Sequence, residues 1–119
     1  MLRNTNEFKK VYIKCGYTDL RFGIDGLAKL VQFQFGMDPF EDGTLFLFCG
    51  RRSDRIKELV WEGDGYLLLY KRIENGHFQW PRNSQEVKQM TSQEFHKLME
   101  GFRVIEKSSI RPCTSTTVS

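Results

Sequence analysis

What this chain lacks narrows it first. No run approaches the roughly 18 apolar residues a membrane span needs, and the opening MLRNTNEFKK holds no apolar stretch of the secretory kind. The expectation is a cytoplasmic protein without membrane contact. Cysteine is sparse: Cys15, Cys49 and Cys113 are odd in number and form no C-x-x-C pair. That argues against a disulfide framework and fits a reducing compartment. His77 and His96 stand apart from each other and from the cysteines, so the short ligand spacing of a zinc site is missing. No G-x-x-x-x-G-K phosphate loop occurs, and Glu62-Gly63-Asp64-Gly65 lacks the alternating acidic positions of a calcium loop. There is no internal repeat. No cofactor, no metal and no catalytic residues are expected.

What is present suits one small domain. The chain has 119 residues, 39% hydrophobic and 13% aromatic, with ten phenylalanines, enough for a single aromatic-rich core. Net charge is +3 and the pI is about 8.8. This mild surplus permits an acidic partner such as DNA without requiring one.

Alternation predicts a strand over residues 8–14. Thr18-Asp19 offers oxygens to cap a helix, and Ile24, Leu27, Val31 and Phe35 recur at helical spacing up to a C-cap at Gly36. Gly26 within that run marks either close packing or a late start. Residues 45–49 are continuously apolar, the mark of a strand covered on both faces. Residues 55–61 alternate and lead through the 62–65 hairpin signal into a strand over residues 66–73. Glu74-Asn75-Gly76 predicts a second hairpin returning through residues 77–80, with Pro81 as its stop. Thr91-Ser92-Gln93-Glu94 is a capping-box pattern ahead of Phe95, Leu98, Met99 and Phe102. The predicted fold is α+β: an antiparallel meander of four to five strands packed with two helices. Residues 1–7 read as a flexible N-terminus, 8–106 as the domain and 107–119 as a disordered tail.

Two features suggest a partner. The turn after the continuous apolar strand is cationic: Arg51, Arg52, Arg55 and Lys57, with Lys71 and Arg72 on the next strand. Guanidinium forks match phosphate oxygens, although an exposed turn attracts charge anyway, and Asp54, Glu58 and Glu62 offset part of it. Separately, Trp61, Tyr66, Tyr70, Phe78 and Trp80 suggest an aromatic sheet face. Core packing is the favoured reading, single-stranded nucleic acid could stack on it, and Trp61, Tyr66, Tyr70 and Trp80 could anchor a protein partner. Asp19, Asp54 and Asp64 would be the carboxylates of a metal-dependent nuclease, but Asp at turns is favoured by local hydrogen bonding alone.

These blocks taken in order resemble a known family. Thr18-Asp19-Leu20-Arg21 with Gly23-Ile24-Asp25-Gly26-Leu27, then Asp38-Pro39-Phe40, Leu45-Phe46-Leu47-Phe48 with Arg51-Arg52, and Asp54-Arg55-Ile56-Lys57 carry the first half. Trp61-Glu62-Gly63-Asp64-Gly65, Tyr70-Lys71-Arg72 and Phe78-Gln79-Trp80-Pro81-Arg82 complete it. The chain is similar to the TnpB-type accessory protein, the second open-reading-frame product, of the IS-sixty-six family of bacterial insertion sequences. The resemblance implies a role in transposition beside a separate DDE transposase and implies no catalysis here. The basic turn adds DNA as an expected partner, and a sister accessory protein of the same element is another. Ser53 and Phe22 depart from basic residues frequent in relatives. The expected DNA contacts are Arg51, Arg52, Arg55 and Lys57, helped by Arg21, Lys71, Arg72 and Arg82. The alternative is an adaptor docking through Trp61, Tyr66, Tyr70 and Trp80.

Overall fold

The computed structural model describes residues 8–101. The expected flexible N-terminus, the expected tail, Phe102 and the last residues of the expected domain lie outside that span. Five strands form one sheet: β1 (Lys10–Lys14), β2 (Thr44–Cys49), β3 (Arg55–Trp61), β4 (Tyr66–Arg72) and β5 (Val87–Met90). Their order is β4-β3-β2-β1-β5. Helix α1 (Ile24–Lys29) lies between β1 and β2 in sequence, and α2 (Ser92–Glu100) follows β5. The class is the expected α+β.

β2 sits at the centre, and its composition explains why. Every residue from Thr44 to Cys49 is buried. Leu45, Leu47 and Cys49 enter a cluster with Val11, Ile13, Ile56, Val60, Phe78 and Trp80, which Phe95 and Leu98 of α2 close. Phe46 and Phe48 point the other way, onto Leu27 and Val31 of the first helix and Leu59 of β3. A strand sandwiched like this has no reason to alternate apolar with polar. The β2–β3 and β3–β4 hairpins are antiparallel as expected, with Leu45 opposite Val60 and Glu58 opposite Leu69.

The sheet departs from a pure meander in two places. β1 and β2 run parallel, Val11 opposite Leu45, because the helical connection between them returns the chain to its starting end. Residues 77–80 form no return strand on β4. Ile73 and Phe78 instead donate their N–H groups to the carbonyls of Asp54 and Ser53, at 2.8 and 2.7 Å. The segment thus wraps the end of the sheet, burying Phe78 and Trp80, and delivers the chain to the far edge. There β5 pairs antiparallel with β1, Tyr12 opposite Gln89. Val87-Lys88-Gln89-Met90 has little intrinsic strand character. Its partner makes it a strand.

The helices start and stop as follows. Thr18-Asp19 caps nothing: α1 begins at Ile24, with Gly23 as N-cap and no side-chain cap bond. Asp19 is occupied elsewhere, as described below. A Cβ on Gly26 would stand 3.2 Å from the Phe22 ring, so close packing and a late start both hold. The helix widens into a π-helical turn over Leu30–Gln34 before Gly36, at φ +62°, ends it. At α2 the capping box forms: Glu94 N–H donates to Thr91 Oγ1 at 3.1 Å, and Thr91 N–H to Glu94 Oε1 at 2.8 Å.

A candidate nucleic-acid groove at one end of the sheet

At the end where β2 leaves and β3 enters, three segments meet. The first is the loop after β1. Gly16 turns it at φ +74°, and its N–H donates to the Pro81 carbonyl at 2.8 Å. A Cβ there would collide with the Gln85 side chain and stand 2.8 Å from the Ser84 carbonyl. Lys14, buried behind this loop, ties it down by donating to the Tyr17 carbonyl (2.8 Å) and to Gln85 Oε1 (2.6 Å). Burial holds the Lys14 pKa below the ordinary lysine value. Thr18 N–H then donates to the Cys49 carbonyl at 2.7 Å, laying residues 17–21 beside the end of β2.

The second segment is the cationic turn, and the third is the facing pair β3–β4. Together they enclose a groove of about 980 Å³. Arg21, Arg51, Arg52, Arg55 and Lys57 line it with Tyr17 and Tyr70, over the apolar Leu20 and Leu68. Lys57 Nζ bridges to the Phe22 carbonyl at 2.9 Å, linking β3 to the loop. Residues 35 apart in sequence thus become neighbours.

Two carboxylates order these cations. Asp19 holds Arg21 in a fork, Nε to Oδ1 at 3.0 Å and Nη2 to Oδ2 at 2.7 Å, and also accepts the Arg21 N–H at 2.9 Å. Those bonds, the side-chain ones foremost, pull the Asp19 carboxyl down to about 2. Asp54 accepts from Arg55 Nε at 3.0 Å and pairs with Arg52 at 3.3 Å, which lowers its pKa too, Arg55 contributing most. Five cations face these two carboxylates. That leaves a local surplus of three positive charges at this end of the sheet.

The other residues singled out by sequence fall elsewhere. Arg82 braces the turn from behind, donating to the carbonyls of Gly50 (2.7 Å) and Arg51 (3.2 Å) and to Ser53 Oγ (3.3 Å). Ser53 is thereby part of that brace. Arg72 pairs across β3–β4 with Arg55 and binds Glu74 at 2.9 Å, beyond the groove lining. Lys71, one residue earlier on the strand, belongs to the opposite face of the sheet. Cys49 sits beneath the turn, and burial pushes its thiol up to about 11, unsuited to a nucleophile. Among the described residues no group of three His, Cys, Asp or Glu could hold a metal ion.

The four aromatic candidates separate. Tyr70 is in the groove. Trp80 is 6% exposed and donates its indole N–H to the Lys14 carbonyl at 3.0 Å, a core position that leaves it no surface for docking. Trp61 and Tyr66 lie at the opposite end of β3–β4, stacked edge-on with centroids 4.9 Å apart. Phe40 joins them at 5.1 and 5.6 Å and is 52% exposed. Sequence reasoning passed over Phe40 and Tyr17. Phe40, beside Pro39 in a turn, has no periodic pattern to mark it, and Tyr17 shows no signal until Thr18 is anchored beside Cys49.

A model of the IS66 Orf2-like proteins matches residues 9–109. The chain belongs to this family. Membership implies an accessory role in transposition. Two relatives in Sinorhizobium fredii strain NGR234 are similar, and both are described as uncharacterized. The protein y4hO is 40% identical over 72 residues, 60% of this chain and 62% of its own length. The protein y4jC is 35% identical over 97 residues, 79% of this chain and 82% of its own. No solved structure matches. No helix among the described residues is long and apolar enough to cross a membrane.

Proposed function

We propose that this IS66 Orf2-like protein assists transposition without catalysing it, by gripping phosphates of the element's nucleic acid in the cationic groove. The observation that carries this reading is the convergence of Arg21, Arg51, Arg52, Arg55 and Lys57 on one concave surface. Asp19 and Asp54 pre-order three of these guanidinium groups, which lowers the entropy lost on gripping a phosphate. Such contacts hold a backbone in register and carry no sequence information directly. The partners on this reading are element DNA, the DDE transposase and the sister accessory protein. The working compartment is the cytoplasm.

The test is binding of labelled element-end DNA, duplex and single-stranded, by fluorescence anisotropy across a salt series. The variant R51A/R52A/R55A/K57A should flatten the log-affinity slope by roughly 3, at about 0.7–0.9 per phosphate contact. Absence of binding to either form at low salt would retire the groove as a phosphate site.

A second reading is favoured by the Phe40–Trp61–Tyr66 cluster, whose partly exposed rings suit a protein anchor. If the chain is instead an adaptor, F40A/W61A abolishes co-purification with the transposase, and charge reversal at Arg51 and Arg52 leaves it intact.

A further inference from the structure

We infer that the groove takes an unpaired strand in preference to a duplex, its bases stacking on Tyr17, Arg51 and Tyr70. This rests on the phosphate-binding reading above and goes one step beyond it. Phosphates alone would be served by the cations. They gain nothing from two tyrosines 42% and 52% exposed in the same groove, nor from Leu20 and Leu68 in its lining. Those surfaces suit the flat faces of bases.

The rings are also prepared for stacking. The Arg51 guanidinium lies over the Tyr17 ring, its carbon 4.2 Å from the centroid, and donates to the Tyr17 hydroxyl at 2.9 Å. Ring and guanidinium thus form one platform anchored to two segments. Lys57 Nζ stands 5.9 Å from the Tyr70 centroid, placing a cation beside the second ring. Rings and cations thus line one groove, the two elements a single strand's bases and phosphates require.

Shape points the same way. At about 980 Å³ the groove matches the upper end of ordinary ligand clefts, roughly 300–1,000 Å³, with room for a few stacked nucleotides. A duplex presents a convex rim of phosphates and hides its base faces, so Tyr17 and Tyr70 would have nothing to stack against.

The experiment compares labelled oligothymidine with a duplex of equal length, using the full chain at matched salt. Oligothymidine should bind at least about ten-fold more tightly. Tyr17→Leu and Tyr70→Leu should each weaken it about ten-fold with the salt slope unchanged, and Tyr17→Phe and Tyr70→Phe should retain it. Both side chains are exposed, so thermal melts of the variants should match the parent. Light-induced crosslinking of 5-iodouracil in the same strand should map to Tyr17 or Tyr70. Equal or tighter duplex binding, or leucine variants that bind like the parent, would overturn the preference and leave the phosphate clamp standing. Failure of both nucleic acids to bind would remove the clamp and the preference together.

Discussion

Asp19 shows how one side chain sets the charge its neighbours can offer. Its fork to Arg21 is solvent-exposed, so it contributes little to stability. Its consequence is electrostatic. Because the carboxyl is lowered to about 2, it is ionised at every pH above its ordinary value near 3.8, and the pair dissolves only as pH falls through 2. At neutral pH, therefore, Arg21 meets a phosphate already half-neutralised. Asp19→Asn keeps the shape, removes that charge and frees the fork. At low salt the removed negative charge outweighs the lost pre-ordering of Arg21, so nucleic-acid affinity should rise several-fold, with a slope steeper by about 0.7–0.9, read by anisotropy. An unchanged slope would mean that Arg21 never reaches the backbone. Asp54 and Arg82 illustrate the other fate of charged residues: one orders the turn from its edge, the other ties it from behind.

Among the elements, the loop after β1 decides whether there is a groove at all. Its course depends on Gly16, at a φ that side chains resist and in a space already filled by Gln85 and the Ser84 carbonyl. Gly16→Ala should cost about 2 kcal/mol or more in urea unfolding. It should also weaken nucleic-acid binding, because Tyr17 and Arg21 hang from the displaced segment. The cationic turn was legible in sequence, since hairpin signals flank it and its residues are contiguous. The loop's part was not. The oxygens of Thr18-Asp19 resemble a helix cap, yet Asp19 spends them on Arg21, and the helix starts five residues later. β5 was illegible for a related reason: a four-residue edge strand is defined by β1 beside it rather than by its own pattern.

Across the whole molecule, the sheet's two faces carry different loads. Phe46, Phe48 and Leu59 face the first helix, and on the opposite face, under α2, Glu58 lies among Leu45, Val60, Leu67, Leu69 and Phe95. Burial raises the Glu58 carboxyl, with Lys71 opposing the shift. A raised folded-state pKa means that the native protein binds more protons than the unfolded chain between the two values. Stability is therefore lost as pH climbs from about 4.5 through the folded value. Glu58→Gln should raise the Tm at pH 7, with the gain shrinking toward zero near pH 4. A gain that persists at pH 4 would trace to packing rather than ionisation.

The sequence by itself determined the class, the central strand, the hairpins on one side of it, the capped second helix and the contiguous cationic turn. Each is written locally, in a period, a cap or a turn pair, and local rules read them. Tertiary structure alone decided that β1 joins β2 in parallel, that residues 73–86 wrap the sheet instead of folding back, and that Tyr17 and Arg21 stand across from Arg51, Arg55 and Tyr70. Those outcomes depend on contacts between segments tens of residues apart, where burying Phe78 and Trp80 outweighs the hairpin preference of Asn75-Gly76. No local pattern encodes them.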